Sequence, residues 1–347
     1  MIATMDEDRR PFRGNEIFSL TGKRVWVAGH RGMVGSALVR RLREEACDLL
    51  TVTRQTVDLR RQAEVESWMR ASRPDVVLIA AATVGGIHAN RSRPAEFIYD
   101  NLAIALNIVH TACEIGVKKL LFLGSSCIYP KYCAQPMTED RLLSGPLEPT
   151  NQWYAIAKLA GLMMGKAYRA QHGMDCIAAL PTNLYGPYDN FDLQQGHVIA
   201  ALLRKLHEAK LKGDGAVEIW GTGRPKREFL HVDDLVDALV RLVTHYSGDE
   251  PVNIGSGQEV SIAELADLAS RVVGYRGRLA YNTSMPDGSP RKLLDVTRMT
   301  ELGWQPRIPL FEGLQHAYAC YRKRLPPNAE TDIAAELHWR GADLSEA

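Results

Sequence analysis

An α/β chain, with a doubly wound parallel sheet and a smaller discontinuous C-terminal lobe, is what this sequence predicts, on three observations. Short apolar runs alternate with helical periodicity from Lys23 to about Leu180. A glycine-punctuated turn stands directly after the first of those runs. Beyond Leu180 the alternation loosens into turn-rich segments and isolated helices.

The first strand spans Lys23–Ala28. It is followed by Gly29-His30-Arg31-Gly32-Met33-Val34-Gly35, a G-x-x-G-x-x-G turn that opens a helix from Val34 to Glu45. Strand, glycine turn and helix in this order form the phosphate-binding opening of a Rossmann sheet. The glycines let backbone approach a pyrophosphate, and the helix N-terminus adds N–H groups and partial positive charge. The second strand, Leu49–Thr53, runs into Arg54, where an NAD enzyme often places an acidic residue for the ribose diol. A guanidinium there, with Arg31 assisting, suits a 2′-phosphate and hence NADP(H); a solvated surface arginine is the alternative. Asp58 and Leu59 are expected against the adenine.

The third strand, Val76–Ala80, leads to Val84-Gly85-Gly86-Ile87, a loop suited to close approach of cofactor or substrate to the backbone. The fourth, Leu120–Leu123, leads to Gly124-Ser125-Ser126-Cys127-Ile128-Tyr129-Pro130. A helix over Asn151–His172 carries Tyr154 and Lys158, and Cys176–Leu180 is the fifth strand. Ligands of such sheets bind beyond the carboxyl ends of strands. Leu123, Gly124, Ser126, Pro181, Thr182, Asn183 and Leu184 all lie there and form the expected cofactor lining, with Pro181–Pro187 as one wall.

Ser125, Tyr154 and Lys158 are the residues needed for carbonyl–alcohol redox chemistry. Hydride delivery to a ketone requires a proton donor, and a free phenol, with a pKa of roughly 10, is a sluggish one near neutrality. A lysine four residues on shares the tyrosine's helix face, and its charge is expected to draw the phenol's pKa downward. Ser125 can hydrogen-bond the oxygen as negative charge grows on it. Plain reduction has no use for Cys127. The surplus thiol points to a second reaction in the same pocket, unless it is a small buried filler.

Composition bounds the rest. A net charge of +1 without large charged blocks recommends neither nucleic acid nor an anionic membrane surface as partner. No apolar run is long enough to span a bilayer. Met1–Asn15 is charged and lacks an apolar signal core, so a cytoplasmic location is expected. Six scattered cysteines with no Cys-x-x-Cys pair fit reduced thiols rather than disulfides or zinc, and no metal is expected.

In the second half, a helix at about Val198–Leu211, a strand at Val217–Trp220 and a charged loop lead to Arg227-Glu228-Phe229-Leu230-His231-Val232-Asp233-Asp234. Asp233 is expected to cap a helix over Leu235–Thr244 rather than to bind metal. A strand at Val252–Ile254, a helix at Ile262–Val273 and the loop Pro286–Arg291 complete the lobe. The expected division is an N-terminal extension (1–22), a nucleotide domain (23–180, with a returning segment around 228–256), a lobe (181–325) and a polar tail (326–347).

With these residues assembled, the chain resembles the GDP-L-fucose synthases, extended short-chain dehydrogenases/reductases, from Arg24 to about Trp304. The likeness rests on the strings Ala28–Ser36, Leu121–Lys131, Leu180–Pro187, Arg227–Asp234 and Pro286–Arg298. It implies NADPH as reductant and GDP-4-keto-6-deoxy-D-mannose as substrate, with epimerisation at carbons 3 and 5 before reduction at carbon 4. By motif position it implies Ser125, Tyr154 and Lys158 as the reductase set. Cys127 and His197 become the epimerase pair, with Cys127 as base, His197 as acid and His197 also near the cofactor. Lys205, Trp220, Arg227 and Asp287 hold the GDP-sugar. A core tryptophan and a locally bonded helix-start histidine are the plain alternatives for Trp220 and His197. The resemblance further implies a homodimer packed through the Tyr154–Lys158 helix and the helix after Pro94. Rival readings are an epimerase retaining NAD, a reductase of a related GDP-keto-sugar, and a non-catalytic NADP(H) binder.

Overall fold

The computed structural model describes residues 16–325 except Gln194 and Pro286; the polar tail and most of the N-terminal extension lie outside the described residues. The nucleotide half runs β1 (Arg24–Ala28), α1 (Met33–Leu42), β2 (Asp48–Leu50), α2 (Gln62–Ser72), β3 (Val76–Ile79), α3 (Ile87–Ser92), α4 (Pro94–Glu114), β4 (Lys119–Leu123), α5 (Gln152–His172) and β5 (Cys176–Pro181). Next come β6 (Asn183–Tyr185), α6 (Val198–Lys212), β7 (Ala216–Trp220), β8 (Lys226–His231), α7 (Val232–His245) and β9 (Val252–Ile254). The chain continues through β10 (Glu259–Ser261), α8 (Ile262–Val273), β11 (Arg278–Asn282), β12 (Arg291–Lys292), α9 (Thr297–Glu301) and α10 (Leu310–Arg324).

Six parallel strands form the main sheet in the order β2-β1-β3-β4-β5-β9. The order reverses between β1 and β3, and that switch point opens a crevice at the strands' carboxyl ends. The strands are continuous apolar runs because both faces are covered. One face packs Val25, Val27 and Leu78 against α1 and α7; the other packs Trp26, Val77 and Phe122 against α2, α4 and α5. β9 reaches the sheet from far along the chain and closes its edge. A separate core of Leu203, Leu206, Leu265, Tyr321 and their neighbours organises the second lobe. Its strands form the set β10-β8-β12, with β6 also on β8, and the pair β7–β11.

Several boundaries differ from the sequence reading. β2 stops at Leu50, not Thr53: it is an edge strand, and its three paired residues end there. Pro181–Tyr185 is not a loop. Asn183–Tyr185 pairs with β8, and Thr182 Oγ1 and Asn183 Nδ2 both donate to the Glu228 carbonyl, at 3.2 and 2.7 Å. α7 begins at Val232, and His231, not Asp233, is its cap: His231 Nδ1 accepts from the Asp233 N–H at 3.2 Å. Asp233 instead pairs with Arg40 at 2.7 Å, joining α7 to α1.

Candidate active site

The cofactor cradle begins where β1 ends. Gly29 has φ +84°, and a Cβ there would lie 2.6 Å from the Ala81 Cα; a Cβ on Gly35 would lie 1.9 Å from the Gly29 carbonyl oxygen. Both positions demand glycine. α1 starts immediately with neither a side-chain cap nor an acidic residue in its first turn, which leaves its positive end to an anion. A dinucleotide pyrophosphate fits this cradle. His30 and Arg31 lie on the glycine loop itself, whereas Met33 and Val34, at the start of α1, pack against the sheet core.

Arg54 is exposed on the turn beyond β2, close enough for its charge to favour ionised Asp58. Asp58 is itself committed to Arg60, at 2.7 and 3.0 Å, and that bond holds its carboxyl below the ordinary range. Arg60 also reaches Asp100 at 3.2 Å, whose other oxygen takes the Thr83 hydroxyl at 2.9 Å. Leu59 receives Asn107 Nδ2 on its carbonyl at 3.0 Å. The Val84–Gly86 loop does meet a close backbone neighbour, but that neighbour is the chain's own: Gly86 N donates to the Gln195 carbonyl at 2.9 Å.

At the end of β4 the chain turns through Ser125, whose Oγ caps the single turn Ser126–Ile128 by accepting from Cys127 N–H at 3.2 Å. The same hydroxyl lies near enough to the Tyr154 phenol to hold its pKa down against burial. Lys158, one turn further along α5, is only 4% exposed and donates to the Leu123 carbonyl at 2.8 Å. Its ammonium lies 5.8 Å from the Tyr154 ring centroid. Burial brings Lys158 down to about 8. The expected lysine-driven drop in the Tyr154 pKa is not produced. Burial pushes the phenol up, the Cys127 charge adds to that, and the Ser125 hydroxyl opposes both. With the ammonium taken by a carbonyl, desolvation outweighs it.

Cys127 is half-buried beside this set, and its sulfur lies 3.6 Å from Lys292 Nζ. Sequence reasoning missed Lys292. Its only signal was membership of the string after Pro286, since the contact depends on β12 pairing with β8. His197 is the N-cap position of α6, exposed and with no side-chain cap bond. Among the described residues no hydrogen bond joins it to the thiol or the phenol; it shares the rim through Gln195 and Gly86.

The remaining predicted residues gather in the second lobe. Trp220 is no core residue: it is 52% exposed, with Lys205 Nζ 5.6 Å from its ring centroid and its own indole N–H on Glu218 at 3.1 Å. Lys205 also donates to the Glu218 carbonyl at 3.0 Å. Burial lowers the pKa of Arg227, while Asp287 and Glu148 oppose the fall; the guanidinium remains charged and donates to the Lys226 carbonyl at 2.8 Å. Asp287 grips Thr222 through both carboxylate oxygens, at 2.7 and 2.8 Å, and so clamps the Gly221–Thr222 turn beside Arg227. Among the described residues no His/Cys/Asp/Glu cluster suits a metal, and no helix is long and apolar enough to cross a membrane.

A donor phenol, a hydroxyl, a buried lysine and a thiol thus meet at a dinucleotide cradle, with cationic and aromatic groups beyond. The NAD dependent epimerase/dehydratase family description matches residues 25–255. A GDP-L-fucose synthase of Sinorhizobium fredii (strain NBRC 101917 / NGR234) is 54% identical over 312 residues, covering 90% of this chain and 99% of the relative. GDP-L-fucose synthase 1 of Arabidopsis thaliana is 55% identical over 315 residues, covering 90% and 98%. The solved structure of a GDP-L-fucose synthetase from Naegleria fowleri bound to NADP superposes with a TM-score of 0.82 at 27% identity, covering 92% of this chain and 98% of that one. The chain is a member of the NAD dependent epimerase/dehydratase family and, within it, of the GDP-L-fucose synthases.

Proposed function

We propose that this chain converts GDP-4-keto-6-deoxy-D-mannose to GDP-L-fucose, inverting carbons 3 and 5 and then reducing carbon 4 with NADPH. The observation that carries the reading is Cys127, a thiol whose charge is felt by Tyr154 and whose backbone N–H donates to Ser125. The carbonyl at carbon 4 acidifies the protons on both neighbouring carbons. Cys127 removes a proton from one face and His197 returns one to the other. Ser125 and Tyr154 stabilise the enediolate oxygen between those events. NADPH in the glycine cradle would supply the hydride for carbon 4, and Tyr154 gives its phenolic proton to the carbon-4 oxygen. Lys158 is held by Leu123 at the base of this set. Lys292 places its ammonium 3.6 Å from the Cys127 sulfur, a positive charge beside the group that takes the proton. Trp220 and Lys205 receive the nucleotide, and Arg227 the diphosphate.

The protein is proposed to act in the cytoplasm, where its six free cysteines stay reduced. It is also proposed to work as a homodimer. Tyr99 and Leu106 on α4, and Trp153, Ile156 and Met163 on α5, are exposed on neighbouring helices, the pattern a two-fold contact would cover.

The test is direct. Incubated with GDP-4-keto-6-deoxy-D-mannose and NADPH, the protein should consume NADPH and yield a product whose NMR couplings are those of GDP-L-fucose. A product with the mannose configuration retained at carbons 3 and 5 would refute the epimerase half. Cys127→Ser should slow exchange of the ring protons with solvent deuterium by about a hundredfold while sparing reduction of the pre-epimerised ketone.

A further inference from the structure

We propose that Asp189 is a positioning residue for His197, its buried carboxylate holding the imidazole in one tautomer and one orientation so that the opposite ring nitrogen faces the sugar. The inference deepens the reading of His197 as the epimerase acid and rests on it.

Asp189 is 5% exposed, and only one of its carboxylate oxygens is used by the fold: Oδ1 accepts from Asn190 N–H at 2.7 Å. Oδ2 is buried with no hydrogen-bond partner. A buried carboxylate oxygen left unpaired is costly, and a purely structural aspartate would be served by Oδ1 alone. The local backbone brings Gly196, the residue before His197, against this corner. A Cβ on Gly196 would lie 2.4 Å from the Asn190 carbonyl oxygen and 2.5 Å from that of Asp192, so the chain doubles back and starts α6 directly on the Asp189–Asn190 turn. Gly196 N–H closes the loop on the Asp192 carbonyl at 2.9 Å.

The corner is also braced from outside. Arg324, the last residue of α10, donates to the Asp189 carbonyl at 3.3 Å and lies 4.9 Å from the ring centroid of Tyr188. Tyr188 is held at φ +67°, a conformation a tyrosine rarely adopts, so the turn is fixed by its surroundings. Burial pushes the Asp189 carboxyl up; the His197 imidazole is the largest charge opposing that, ahead of Arg324. Which imidazole nitrogen holds the proton is set by the bond the other one makes, and a carboxylate in that position fixes the choice; the outward nitrogen of exposed His197 then takes a proton from solvent and returns it to carbon, the carboxylate stabilising the imidazolium in between. Replacing such a carboxylate by an amide keeps its shape and inverts its hydrogen bonding, leaving the wrong tautomer.

The experiment compares wild type, Asp189→Asn and His197→Gln, with NADP⁺ bound for the exchange and NADPH supplied for the reduction. Exchange of ring protons from GDP-4-keto-6-deoxy-D-mannose into deuterated water, and NADPH oxidation with the pre-epimerised ketone, are measured for each. In D189N exchange should fall about ten- to a hundredfold while reduction stays within about twofold. The ¹⁵N signals of the His197 ring, assigned by their loss in H197Q, should show one neutral tautomer in wild type and a changed one in D189N. Unchanged exchange in D189N overturns the proposal, as does an equal loss of exchange and reduction. A tautomer mixture in the wild-type protein overturns it even where D189N does not fold. Undiminished exchange in H197Q removes the acid role of His197, a separate failure of the underlying reading.

Discussion

On the function proposed above, the cofactor end of the site is made of backbone, whereas the sugar end is made of side chains. At the first, Gly29 and Gly35 are pressed against neighbouring main chain, and the anion-binding group is the start of α1 itself. At the second, Trp220 and Lys205 stand partly in solvent, and Arg227 is set by Asp287 and a two-residue strand partner. A backbone site cannot be altered without disturbing the fold that makes it. A side-chain site can be trimmed residue by residue, so affinity and sugar preference can vary there while the fold stays fixed.

The comparison breaks most readily at Gly35. A methyl group there has no room beside the Gly29 carbonyl, so Gly35→Ala should cost about 3 kcal/mol of stability and most NADPH binding. Thermal unfolding and cofactor titration would check this; ordinary binding would mean the turn can open. Between the two ends, Tyr154→Phe should reduce hydride transfer by about a thousandfold while leaving NADPH affinity nearly unchanged. Steady-state NADPH oxidation against a binding isotherm separates the two. At the sugar end, Trp220→Ala should raise KM for the GDP-sugar about tenfold with kcat within about twofold, the signature of lost uniform binding. A fall in kcat instead would make Trp220 part of the chemistry.

The smallest expected effect is on stability. Lys158 titrates near 8 when folded against 10.5 as the ordinary lysine value. Between those values the unfolded chain holds a proton the folded chain lacks, so stability rises with pH across that window. Below pH 8 the full cost of about 3 kcal/mol is present. Lys158→Met should therefore raise the melting temperature by a few degrees at pH 7 and by less at pH 10, although the Leu123 carbonyl loses its donor. Reduction should be lost in the same variant. Equal melting shifts at both pH values would show that Lys158 carries no such cost.

How much of this could be read beforehand differs between the same two ends. The glycine turn, Ser125, Tyr154 and Lys158 each carry a local signal: a strand end, a helix start, a four-residue helical spacing. Trp220 was ambiguous between core and surface, because one strand residue's exposure depends on what packs over it. The Tyr154 pKa was read in the wrong direction, because burial is a property of the assembled pocket. Lys292 went unnoticed because 165 residues separate it from Cys127, and only the β8–β12 pairing joins them.

By itself the sequence determined the parallel sheet and the glycine turn that opens its first helix, since both follow from the local pattern of apolar runs and glycines along the chain. Only the tertiary structure decided which charge stands beside the thiol and that Trp220 faces solvent beside Lys205. Those depend on distances between segments far apart in the chain, and on the removal of water from between them.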